Sequence, residues 1–139
     1  MIEFFVPGVA VGKGSARTFM NPKTQKAVFT PASKGTKVWQ TRVAYWAMPL
    51  APPEPWGGAV GVKATFIMLR PKSKEGQARK FPTVSPDCDK LLRTILDALT
   101  KIFYVDDKQV CSVEGAKQYG ERPGVLVQIW ELERGLTLK

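Results

Sequence analysis

The stretch from Asp87 to Ile102, DCDKLLRTILDALTKI, constrains the fold more than any other part of the chain. Leu91, Leu92, Ile95, Leu96, Leu99 and Ile102 recur at helical spacing. An α-helix over 87–102 therefore buries one apolar stripe and leaves Asp89, Arg93 and Asp97 aligned on its polar side. Ser85 is the expected N-cap and Pro86 the first helical residue, which sets Asp87 and Asp89 in the first turn. Such a helix needs a second apolar surface to cover.

The rest of the pattern supplies a sheet. Residues 2–6 (IEFFV) read as a strand stopped by Pro7-Gly8, and 17–20 can pair with 27–30 across the turn-forming Asn21-Pro22-Lys23. Ser33 is placed to cap another helix, in which Val38, Trp39, Val43 and Trp46 recur until Pro49 and the proline-rich run to Pro55 end it. Residues 59–69 alternate as a strand, 70–82 (RPKSKEGQARKFP) form a polar basic loop, and 109–118 and 123–132 read as two closing strands. The expected fold is α+β: one domain over 1–139, a mixed or antiparallel sheet packed with two main helices. A chain of 139 residues suits one core, and no repeat or linker divides it.

Composition narrows the chemistry. There is no histidine, so a Ser-His-Asp triad, a Cys-His pair and a histidine general base are excluded within one chain. Two cysteines without histidine make neither a disulfide framework nor a four-ligand zinc site. The start MIEFFVPG lacks the form of a signal sequence, and no run approaches the roughly 20 apolar residues of a membrane span, so a cytoplasmic protein with no membrane partner is expected. The formal charge of +9 favours a polyanionic partner. Its distribution is uneven: residues 87–107 carry a net of −2, and the remainder +11.

All five aspartates lie in that acidic segment: Asp87, Asp89, Asp97, Asp106 and Asp107. Acids in a first helical turn meet the helix dipole favourably, by roughly 0.3–1 kcal/mol each, which accounts for Asp87 and Asp89 without any function. A surface turn likewise accommodates Asp106-Asp107. The alternative is a shared cation. A short reversal after the helix would return Asp106-Asp107 toward the helix start and gather three carboxylates, a donor set suited to Mg²⁺ and phosphodiester hydrolysis. Lys13, Arg17, Arg70, Lys72, Lys74, Arg79 and Lys80 are the candidate phosphate contacts on the basic body. Gly12-Lys13-Gly14 lacks the spacing of a phosphate-binding P-loop.

The ordered combination Asp87-x-Asp89-x-Leu91, Arg93, Asp97-Ala98-Leu99 and Asp106-Asp107-x-Gln109-Val110 resembles the RusA-type Holliday junction resolvases of bacteria and their prophages. The opening VPGVAVGKGSARTF and the later VFTP extend the resemblance over most of residues 2–132. It implies a homodimeric endonuclease that binds four-way DNA junctions by shape and makes paired incisions with Mg²⁺ as cofactor. It makes Asp87, Asp89 and Asp107 the metal ligands, with Asp106 beside them, and gives Arg93 a catalytic position. The family usually has lysine at position 93 and asparagine at position 90, where this chain has Arg93 and Lys90. Arginine retains the charge but cannot transfer a proton as lysine can. A non-catalytic junction-binding protein, and a Mg²⁺ nuclease acting on other branched DNA, are the competing expectations.

Overall fold

The computed structural model describes residues 1–13, 17–20, 27–30 and 34–132, with the backbone alone for 17–20, 27–30 and residue 34. Four strands form the main sheet: β1 (Ile2–Pro7), β4 (Val60–Met68), β5 (Val110–Tyr119) and β6 (Gly124–Glu131), in the order β1-β6-β4-β5. Strand β6 pairs antiparallel with both β1 and β4, whereas β4 and β5 run parallel. A parallel pair needs a crossover. The crossover spans the short helix α2 (Lys74–Ala78) and the amphipathic helix α3 (Cys88–Leu99). The strands β2 (Arg17–Met20) and β3 (Ala27–Thr30) make the expected pairing as a separate antiparallel ladder, with Arg17 opposite Thr30. Helix α1 covers Lys34–Ala47.

Strand alternation decides which side of the sheet is covered. Phe4 and Val6, then Val60, Val62, Ala64 and Phe66, then Val125, Val127 and Ile129 are buried on one face. Trp39, Val43 and Ala47 from α1 and Leu91, Ile95 and Leu99 from α3 close over them, with Phe103 and Tyr104 completing the core. Burying one such Val, Leu or Phe side chain contributes about 1.5–3 kcal/mol. The other face is polar in part: Gln128 donates to Glu3 at 2.7 Å, and Lys63 lies 3.4 Å from Glu114. The mixed sheet and two principal helices agree with the α+β expectation.

Three boundaries differ from the sequence reading. Helix α1 turns Val38, Tyr45 (72% exposed) and Trp46 (43% exposed) outward, so its buried stripe is Trp39, Val43 and Ala47. The polar loop after β4 contains α2, because Ser73 caps it by accepting from the Gly76 amide at 3.1 Å. Helix α3 (Cys88–Leu99) is capped two residues later than expected: the Ser85-Pro86 peptide is cis, and Asp87 itself is the N-cap. The expected cap at Ser33 lies outside the described residues.

Candidate functional site

Helix α3 is seated from two sides. The segment after β1 runs along it: the Thr94 hydroxyl donates to the Val11 carbonyl at 2.9 Å, and the Lys13 amide donates to the Lys90 carbonyl at 3.1 Å. Gly12 permits this approach, since a Cβ there would lie 3.2 Å from the Lys90 Cβ. On the other side α3 meets β5, where a Cβ on Gly115 would lie 3.3 Å from the Cys88 Sγ. These contacts fix the direction of α3: its start lies beside the later part of β5, and its end lies beside the turn that leads into β5.

At the start, Asp87 has the extended backbone of an N-cap, φ −69° and ψ 143°, yet its side chain makes no capping hydrogen bond. The carboxylate is exposed and lies 3.5 Å from the Lys90 ammonium. Asp89 follows in the first turn, also exposed, and among the described residues it has no ion-pair partner. Arg93, one turn further along, is exposed and similarly unpaired. Asp89 and Arg93 are thus presented one turn apart without pairing with one another.

At the far end the acids are differently employed. The Lys13 ammonium meets the Asp97 carboxylate at 2.7 Å. Asp106 caps a single 3-10 turn over Asp107–Gln109, accepting from the Lys108 amide at 2.9 Å, while Gln109 Oε1 accepts from the amides of Val105 and Asp106. The Lys108 N–H holds the Asp106 carboxyl below its ordinary range, more than its limited desolvation raises it. Gln109 Nε2 ties the turn to the segment just before β4 through the carbonyls of Trp56 and Gly58, at 2.7 and 2.8 Å. Asp107 is exposed on this turn. Tyr104 is buried beneath it, donating to the Leu96 carbonyl at 2.5 Å. Burial raises the Tyr104 pKa, and the nearby charges of Asp107 and Asp97 raise it further.

Asp107 therefore belongs with Asp97 at the end of α3. Asp89 is eight residues earlier, about 12 Å along the helix axis. The expectation that the reversal returns Asp106-Asp107 to the helix start is corrected: residues 100–109 fold against the C-terminal half of α3 and are pinned there by Tyr104 and Gln109. Among the described residues, no three Asp, Glu, Cys or His side chains are grouped to hold a metal. Asp87 and Asp89 sit together. Asp107 does not join them within one chain.

The basic candidates divide in the same way. The Arg70 guanidinium donates to the carbonyls of Gly76, Gln77 and Arg79 and packs over the Tyr119 ring, 4.3 Å from its centroid. Arg79 donates to the Tyr119 hydroxyl at 3.1 Å. Both arginines close the loop that follows β4. Lys72, Lys74 and Lys80 remain exposed on it. Lys13 is committed to Asp97, and the Arg17 side chain lies outside the described residues. Sequence reasoning missed Lys117, whose ammonium donates to the carbonyls of Val84 and Pro86 at 2.7 and 2.9 Å. Its signal was a lysine on the helix-facing side of β5, in phase with Val113 and Gly115.

No helix among the described residues is long and apolar enough to cross a membrane. The family described as "Endodeoxyribonuclease RusA" matches residues 7–130, a span that begins at the last residue of β1 and takes in β4, both ends of α3, the turn after it, β5 and nearly all of β6. The chain is also 30% identical over 141 residues to the "Uncharacterized protein YqaN" of Bacillus subtilis (strain 168), covering 94% of this chain and 96% of that protein.

Proposed function

Since this chain belongs to the RusA endodeoxyribonuclease family, we propose that it resolves four-way DNA junctions by paired phosphodiester hydrolysis, with Mg²⁺ as cofactor, in recombination or repair. The observation that carries the reading is the start of α3. There a strongly basic chain presents two exposed carboxylates, Asp87 and Asp89, that are bound neither in a helix cap nor in the core.

The donor set fits the ion. Mg²⁺ takes oxygen ligands, retains waters, and is usually held by one or two carboxylates together with substrate phosphate. Asp87 and Asp89 supply such a pair. A divalent cation bound there supplies charge stabilisation at the scissile phosphate and lowers the pKa of an attacking water. Arg93, one turn along, is placed to hold a phosphate oxygen and to stabilise charge developing in the transition state. Lys72, Lys74 and Lys80 position the DNA through its backbone.

Asp107 enters through a second copy. A two-fold pair whose α3 helices run in opposite directions brings Asp107 of one chain toward Asp87 and Asp89 of the other. The same symmetry suits a four-way junction, which offers equivalent strands to two sites. In this reading a homodimer is required because the carboxylates of one chain are divided between the two ends of one helix.

The test is a labelled four-way junction beside linear duplex and a replication fork, with and without Mg²⁺. Paired nicks in opposing junction strands are expected, and Asp89→Asn or Asp107→Asn should abolish them while metal-free binding persists. A shifted band without nicks from the wild type would mark a binding protein. Preferential cutting of forks would mark a nuclease for other branched DNA.

A further inference from the structure

Lys117 occupies an unusual place for a lysine. It is on the side of β5 that faces α3, half-buried, in a strand whose neighbours in phase are Val113 and Gly115. Its ammonium has three donors and no acceptor. Two of those donors are fixed on Val84 and Pro86, the carbonyls just before Asp87. Among the described residues no other side chain hydrogen-bonds the backbone of 80–86. Among the described residues, Lys117 is thus the side chain that hydrogen-bonds the approach to α3 to the sheet.

That attachment bears on the carboxylates. Asp87 has cap geometry without a cap hydrogen bond, so its own side chain does not hold the helix start in place. Resting on the metal reading above, we propose that Lys117 is a positioning residue: it anchors the backbone before Asp87 and so sets Asp87 and Asp89 for a divalent cation. Two residues along, Tyr119 anchors the beginning of the same crossover through Arg70 and Arg79. The two anchors serve different ends. Lys117 acts on the carboxylates, and Tyr119 acts on the loop bearing Lys72, Lys74 and Lys80.

The test uses the full chain with two readouts: Mn²⁺ binding to DNA-free protein by electron paramagnetic resonance, and the Mg²⁺ concentration that half-saturates junction cleavage. Lys117→Met should weaken Mn²⁺ binding and raise the Mg²⁺ requirement, each by about 10-fold, as expected for loss of a group that orients a metal ligand. Lys117→Arg, which retains charge and donors, should restore most of both. Tyr119→Phe should leave Mn²⁺ binding to the DNA-free protein unchanged. Should Lys117→Met not fold, Lys117→Gln carries the comparison, with a smaller shift in the same direction. Wild-type metal dependence in a folded Lys117→Met or Lys117→Gln protein, with only its melting temperature lowered, would overturn the proposal. So would failure of Lys117→Arg to restore binding. A wild-type protein that neither binds Mn²⁺ nor cleaves would instead remove the metal reading, and this proposal with it.

Discussion

At position 93 the chain has a guanidinium that no acid among the described residues pairs with, one turn from Asp89 on the exposed side of α3. If it stabilises transition-state charge, Arg93→Ala should lower junction cleavage by at least about 100-fold with little change in binding. Arg93→Lys should then hold the rate close to that of the natural chain if charge alone is needed. A faster rate with a new pH dependence would show that lysine adds proton transfer. Near-normal cleavage by Arg93→Ala would remove Arg93 from the site. Tyr104 gives a prediction about stability. Its folded pKa is raised above the ordinary value of 10.0, chiefly by burial. Its contribution is thus fully present below about pH 10 and falls as pH rises, because the unfolded phenol ionises first. Tyr104→Phe should cost about 0.5–1.5 kcal/mol at neutral pH through the lost hydrogen bond to Leu96. It should also flatten the alkaline loss of stability in denaturant titrations. An equally steep alkaline limb in Tyr104→Phe would assign that loss to another group.

Helix α3 and the strands β1, β4 and β6 were legible in the sequence because their apolar periods, 3.6 and 2, report burial, whereas β5 is exposed along most of its length. The position of Asp107 was not. It depends on how residues 100–109 turn, and the turn is set by Gln109 reaching the carbonyls of Trp56 and Gly58, some fifty residues away in sequence. Helix α2 was hidden for the opposite reason. Its KEGQA has no apolar stripe, and it is held by the Ser73 cap and by the Arg70 bonds to Gly76 and Gln77. Composition assigned the basic residues of this loop one role, whereas the fold divides them. Replacing Lys72, Lys74 and Lys80 together by alanine should reduce the slope of log K against log salt by about 3, one for each phosphate contact, without lowering the melting temperature. Arg70→Ala should instead destabilise the loop, because it removes the bonds to three carbonyls, and should raise hydrogen exchange across 71–79. An unchanged salt slope in the triple variant would exclude the loop from the DNA interface.

On the scale of the molecule, the proposed metal site poses one question: how acids separated along α3 could serve one cation. Asp87 and Asp89 are at its start and Asp107 is with Tyr104 at its end, so a single chain provides two incomplete groups. On the reading proposed above, a two-fold dimer with oppositely directed α3 helices would complete two sites at once, each using Asp87 and Asp89 from one copy and Asp107 from the other. This arrangement makes a prediction that no site within one chain shares. Asp89→Asn and Asp107→Asn should each be inactive alone. When mixed and allowed to exchange subunits, half of the molecules are expected to be mixed dimers. In each of these one site carries both substitutions and the other carries neither. Nicking of one junction strand should therefore reappear, while paired cleavage of both strands should not. If every site is built within one chain, each chain in the mixture remains defective and no nicking returns. The readout separates the two arrangements on a single gel, provided that light scattering shows dimers and that a labelled-subunit control shows exchange.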